Sequence, residues 1–160
     1  MSKGKYLLLG AGIVGLAAGG TYLYNLSRLS SELEIVIKAV IYKVTLSGLV
    51  VRVMVTLKNP TGGSLKVKYP FVKMLYKGNT FASSEVKDLD YELVKFGEKQ
   101  LDPIDIKLSF ITLASNVPAL LKEYRASGSA VIDVETVTTL NDRIGYNKTQ
   151  KIILGGKPAQ

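Results

Sequence analysis

The chain of 160 residues contains no cysteine and no histidine. Without Cys there is no disulfide framework, thiolate zinc site, Cys nucleophile or lipid-modified N-terminal Cys. Without His the commonest general base and the commonest transition-metal ligand are both missing. Carboxylates, Lys and Tyr remain available for acid–base work, so the absence disfavours an enzyme without closing the case. Acidic residues are missing from the first 31 positions, since all thirteen lie from Glu32 onward. A second gap follows: between Val36 and Ser84 there are eight Lys or Arg and no acid. The acids gather in 85–98 and around 133–142, and the net charge is +8. A basic first half of this kind suits anionic lipid or nucleic acid. Lysines on the solvent side of strands would give the same count.

What is present first is a run of 21 residues without a charge, Tyr6 to Leu26. As a helix it would be about 30 Å long, the thickness of a bilayer's hydrocarbon core. Its apolar body is Tyr6, Leu7, Leu8, Leu9, Ile13, Val14, Leu16, Leu23 and Leu26. Lys3 and Lys5 precede it, Arg28 follows it, and Tyr22 and Tyr24 suit an interfacial belt. The expectation is a single-pass membrane anchor over 1–31, with the N-terminus inside and the remaining chain outside. A cleaved signal peptide competes, with Ala17-Ala18-Gly19 as a loose cleavage site, but apolar residues continue beyond it. Ala11, Gly15 and Gly19 recur every four residues and would form a close-packing face for another helix. The segment Gly10-Ala11-Gly12-Ile13-Val14-Gly15 also fits the dinucleotide fingerprint GxGxxG. A Rossmann unit needs an acid after its second strand, where Lys38 stands, and alternating strands and helices thereafter.

The rest reads as strand after strand. Leu33–Leu46 is a Val/Ile-rich run of one strand or two. Leu49, Val51, Val53, Val55 and Leu57 alternate with Arg52, Met54, Thr56 and Lys58, as in a half-buried strand that Asn59-Pro60 ends. Leu65–Tyr69 and Phe71–Tyr76 are split by Pro70, and Lys77-Gly78-Asn79 turns into a return strand over Thr80–Val86. The polar, acidic 85–100 stretch reads as a loop. Ile104–Phe110 alternates again. One helix follows, capped by Ser115 or Asn116, with Pro118 in its first turn and Val117, Leu120, Leu121 and Tyr124 on one face. Ala130–Val137 and Tyr146–Ile153 are the last strands, joined by the Asn141–Gly145 turn. The pattern predicts about seven strands and one short helix, arranged as two antiparallel sheets face to face over 32–154, with a tail at 155–160.

VRVMVTLKNP at Val51–Pro60, LKVKYPFVKMLY at Leu65–Tyr76, the Lys77-Gly78-Asn79 hairpin with Ala82-Ser83-Ser84, Asp105–Phe110, the helix through Leu120-Leu121 and the strand at Ser129–Val134 occur in an order that resembles the late-embryogenesis-abundant (LEA) type 2 family and its water-stress and hypersensitive-response (WHy) domain. The resemblance covers roughly 32–154, and the acidic 85–100 segment departs from it. It implies a fibronectin/immunoglobulin-like antiparallel β-sandwich with one helix, no enzymatic activity, and a role in stress tolerance, often at membranes.

Candidate sites are few. Glu85, Asp88, Asp90 and Glu92 are oxygen ligands of the type calcium takes, but no EF-hand-like loop holds them. Asp102 and Asp105 are a carboxylate pair at a strand edge, and Asp133 and Glu135 share an outer face. Lys58, Lys66, Lys68, Lys73 and Lys77 fall around two neighbouring strands as a lipid-facing basic patch. Tyr69 and Phe71 lie among them, yet Tyr69 points opposite to Lys66 and Lys68, which disfavours a base-stacking platform. The expectation is a non-enzymatic, membrane-anchored scaffold, interaction or stress-protective protein without cofactor or metal. Its expected partners are the lipid bilayer, itself or other membrane proteins, with nucleic acid not expected. The alternative is a structural protein of a larger membrane-containing assembly such as a virion or envelope complex.

Overall fold

A computed structural model describes residues 32–155. These form ten strands and two helices. The strands are β1 (Glu34–Val44), β2 (Gly48–Lys58), β3 (Leu65–Lys68), β4 (Phe71–Tyr76), β5 (Asn79–Ser83), β6 (Asp90–Leu93), β7 (Glu98–Gln100), β8 (Ile104–Ser109), β9 (Ser129–Leu140) and β10 (Ile144–Gly155). The helices α1 (Phe110–Asn116) and α2 (Pro118–Ser127) lie between β8 and β9.

The strands make two antiparallel sheets. In the four-stranded sheet β2 is central, with β1 along one edge and β8 then β7 sharing the other. In the six-stranded sheet β9 pairs along its whole length with β10. Its other edge takes β4 and, beyond the Tyr69-Pro70 break, β3; β5 and β6 lie outside these two. Adjacent residues of a strand face opposite ways. Val51, Val53, Val55 and Leu57 of β2 therefore all point inward, towards Val67, Met74, Ile132, Val134 and Leu140 of the other sheet, in one continuous core. Burying each such side chain contributes roughly 1.5–3 kcal/mol relative to leaving it in water. Along one flank the sheets meet directly: the Ile37 N–H donates to the Gln150 Oε1 at 3.0 Å, and the Tyr146 hydroxyl donates to the Leu33 carbonyl at 3.2 Å.

The expected fold class is corrected on three counts. First, the acidic stretch is not a bare loop. Leu93 is buried opposite Leu65, and the half-buried Tyr91 lies 6.1 Å from the Tyr69 ring, so a four-residue strand holds there. The three-residue β7 then joins the end of β2. With β3 and β4 distinct, seven strands become ten. Second, the single helix is two. Ser109, at the end of β8, caps α1 through its Oγ, which accepts from the Ile111 N–H at 3.2 Å. Ser115 and Asn116 are inside α1, and α2 starts at Pro118 without a side-chain cap. Its end matches expectation, with Gly128 at φ 71°. Third, the fold expected to follow a transmembrane helix shows none among the described residues that is long and apolar enough to cross a membrane. Its helices have 7 and 10 residues, against about 20 for a span. The run Tyr6–Leu26, its Ala11/Gly15/Gly19 face and the GxGxxG match lie outside the described residues.

Candidate functional site

The chemistry-bearing side chains sit on the outer faces of the sheets, and register decides which of them meet. Period-two alternation sends Leu65 and Val67 inward and Lys66 and Lys68 outward on β3. β6 brings Asp90 alongside, and the β9–β10 turn brings Asp142. Lys66 Nζ lies 2.8 Å from both Asp90 and Asp142. Lys68 Nζ lies 3.4 Å from Asp88 and 3.6 Å from Asp90 and Asp142. Hydrogen bonds from Lys66 hold the Asp90 and Asp142 carboxyls below the ordinary Asp range. The same contacts raise both ammonium groups, Lys66 chiefly through Asp142 and Lys68 chiefly through Asp88. On β2, Arg52 clasps Asp105 of β8 with two bonds, Nε to Oδ1 at 2.7 Å and Nη2 to Oδ2 at 2.8 Å. That pairing lowers the Asp105 carboxyl. The ring of Tyr42, bulged out of the β1 register, covers the guanidinium at 3.4 Å.

The five lysines of the expected basic patch are divided by the fold. Lys58 is on the four-stranded sheet, 3.9 Å from Glu98. Lys66, Lys68 and Lys73 are on the six-stranded one, with Lys73 Nζ 3.2 Å from Glu135. Lys77 sits in the β4–β5 turn, over the Tyr76 ring at 5.2 Å. Of the expected carboxylate groups, Asp88 and Asp90 are engaged by lysines, Asp105 by Arg52 and Glu135 by Lys73. No group of three or more carboxylates that could hold a metal ion occurs among the described residues.

Between the sheets there is little polar chemistry. The helices plug the end of the sandwich at the β1–β2 hairpin, leaving an apolar cavity of about 50 Å³ bordered by Ile41, Leu49, Phe81, Leu113, Leu120 and Leu154 among others. The Thr136 hydroxyl is buried without a partner among the described residues, whereas Thr138 donates to the Lys68 carbonyl at 2.6 Å.

The element that sequence reading underestimated is Asn59, read as the end of a strand. It is buried, and its side chain is a clasp. Nδ2 donates to the Gly63 carbonyl at 2.6 Å and the Val94 carbonyl at 3.1 Å. Oδ1 accepts from the Thr61 N–H at 3.1 Å and its hydroxyl at 2.6 Å. The Asn59 N–H donates to the Gly97 carbonyl at 2.8 Å. One residue thus ties the Thr61–Gly63 turn to the β6–β7 connection. The signal available was the buried-strand alternation running straight into Asn-Pro, with a Thr and two Gly following.

No family model and no curated protein matches the sequence. Solved structures do resemble it. A protein from Archaeoglobus fulgidus aligns with a TM-score of 0.50 at 15% identity, over 79% of this chain and 99% of that one. Spo0M, a sporulation control protein from Bacillus subtilis, aligns with a TM-score of 0.49 at 14% identity, over 79% of this chain and 51% of that one. A LEA-like protein solved in solution aligns with a TM-score of 0.39 at 15% identity, over 97% of this chain and 91% of that one. Of these three, the first carries the fold: the chain shares a two-sheet β-sandwich with it, and at that identity nothing more.

Proposed function

We propose that this chain is a non-enzymatic β-sandwich module of the LEA type 2 kind, acting at a membrane as a scaffold or stress-protective protein. One observation carries the reading: the titratable clusters are consumed by cross-strand ion pairs on solvated faces, while the space between the sheets is filled with apolar side chains. A catalytic site ordinarily gathers shifted groups in a concave pocket. Here the shifted carboxyls lie on open sheet faces, and the cavity between the sheets is bordered by apolar side chains. Support for a membrane setting comes from the uncharged Tyr6–Leu26 run between Lys5 and Arg28. The order of motifs from Val51 to Val134 supports the LEA type 2 assignment.

Two measurements test this. Membranes from cells producing the full chain are floated through a density gradient at low salt; co-flotation of the chain is expected, and a chain left entirely in the load fraction contradicts the membrane setting. A drying-sensitive enzyme is then taken through dehydration with and without the chain. Retained activity beyond that given by an equal mass of albumin supports the protective role. Equal loss with both proteins contradicts it.

A further inference from the structure

Charge is distributed unevenly along the long axis of the sandwich. At the end where β1 begins, Lys58, Lys66 and Lys68 are paired with carboxylates, and Phe96 and Val94 are exposed beside Lys95. At the opposite end, formed by the β1–β2 hairpin, α1 and α2, the pattern changes. Lys43 and Lys107 flank Val50 from either side in register, roughly 10 Å apart by two strand spacings. Lys122 and Arg125 of α2 border a shallow groove with Ala114, Pro118, Leu121 and Ala126. None of these four cations has a carboxylate within ion-pair distance among the described residues. Glu123 of α2 is already bound by the Tyr76 hydroxyl at 2.8 Å.

The same end displays aliphatic side chains. Leu46 at the hairpin apex is fully exposed, Ile111 of α1 is 82% exposed and Val44 is 64% exposed. They are held in place. The Thr45 N–H donates to the Gly48 carbonyl at 2.7 Å, and the Gly48 N–H donates to the Thr45 Oγ1 at 3.2 Å. The Ser47 carbonyl accepts from the Phe110 N–H at 3.0 Å, which fixes the start of α1 against the apex. A Cβ on Gly48 would collide with the Leu108 carbonyl oxygen, so this turn is built for glycine.

We propose that this tip docks on an anionic lipid surface, with Leu46, Val44 and Ile111 entering the headgroup region and Lys43, Lys107, Lys122 and Arg125 neutralising lipid charge. Basic groups ringing a small apolar protrusion are the combination that binds such an interface. The protruding side chains are aliphatic, which gives no stacking surface for nucleic-acid bases. The assignment rests on the proposed membrane setting; Glu34 opens β1 at the far end of the sandwich, so the tip meets a surface facing the one that the Tyr6–Leu26 run would enter.

The chain has no cysteine, so Leu46→Cys in the full-length protein takes a polarity-sensitive dye at one place only. Asn147→Cys, exposed on β10 far from the tip, is the control. Each is mixed with vesicles of phosphatidylcholine, with or without phosphatidylserine, and co-sedimentation of the whole chain is read alongside. The dye at 46 is expected to shift to the blue with phosphatidylserine vesicles only, and the dye at 147 to stay unchanged. Each lysine near an anionic surface is worth about five-fold in partition, so Lys43→Glu with Lys107→Glu, which removes two positive charges and adds two repelled ones, lowers it by more than about 25-fold. A silent dye at 46 on a chain that still sediments with vesicles overturns the tip and leaves the membrane setting intact. A shift of equal size with phosphatidylcholine alone overturns the anionic part. A shift that grows with protein concentration before any lipid is added means that a second copy covers the tip, which also overturns the proposal. Neither sedimentation nor shift overturns both readings.

Discussion

Single positions divide sharply by the face they occupy. Val53 is completely buried between the sheets, and Lys38 stands on the outer face of β1. Val53→Asp leaves a carboxylate without a partner in the core, at a cost of several kcal/mol, comparable to the whole stability of a domain. Lys38→Gln is expected to stay within about 0.5 kcal/mol, with urea midpoints as the measurement. Asn59→Ala strips the clasp from the Gly63 and Val94 carbonyls and is expected to cost about 2–4 kcal/mol. Asn59→Asp, nearly identical in shape, should be no milder, because it turns a carboxylate oxygen towards those carbonyls. A thermal melt in which Asn59→Ala matches the parent chain would remove the clasp from this account. The two buried threonines separate in the same way. Thr136→Val deletes a hydroxyl without a described partner and should stabilise by about 1 kcal/mol, while Thr138→Val breaks the bond to the Lys68 carbonyl and should destabilise by about 1 kcal/mol. Equal signs for the pair in chemical denaturation would contradict the assignment. Much of this was legible in advance. The inward set of β2 follows from period-two alternation alone. Arg52 read only as a wet-face residue, because its partner Asp105 is 53 positions away and nothing local encodes that β8 pairs with β2.

Elements were legible in proportion to their length. β2, β8 and β9 carry enough alternating residues to declare themselves, and their sandwich arrangement followed. β6 and β7 have four and three residues, too few to show a period, and they exist because Leu65 and the end of β2 lie beside them. The α1 helix was hidden for another reason: its cap, Ser109, doubles as the last residue of a strand. Contacts between these elements set a pH dependence. Asp90, Asp142 and Asp105 have folded-state values below the ordinary 3.8. Their stabilisation is therefore present above that value and lost as pH falls through the lower folded-state values. Lys66 and Lys68 are raised above 10.5, so their share is present below 10.5 and lost as pH climbs through the higher folded-state values. Stability should thus be flat near neutrality and decline at both extremes. Asp90→Asn with Asp142→Asn should flatten the acid limb in denaturation midpoints read from about pH 5 down to about pH 2. An acid limb unchanged in that double variant would show that these pairs do not couple to folding.

At the scale of the molecule, an apolar interior puts the charged groups of the described residues on the outer surface. The two ends of the sandwich differ in charge: Lys58, Lys66 and Lys68 are paired with carboxylates at one, and Lys43, Lys107, Lys122 and Arg125 at the other have no carboxylate within ion-pair distance among the described residues. That difference was invisible in composition: the +8 total says nothing of where the unpaired charge sits, and the lysines nearest in sequence, Lys66, Lys68 and Lys73, are the ones that pairing neutralises. The most direct test of a surface-borne protective role at a membrane is leakage from dried vesicles. Vesicles containing phosphatidylserine and loaded with a self-quenched dye are dried and rehydrated with the full chain, with the Lys43→Glu and Lys107→Glu double variant, or with albumin. Lower leakage with the parent chain than with either of the others, at equal folding stability of parent and variant, is the predicted result. Leakage that is the same in all three samples would contradict it.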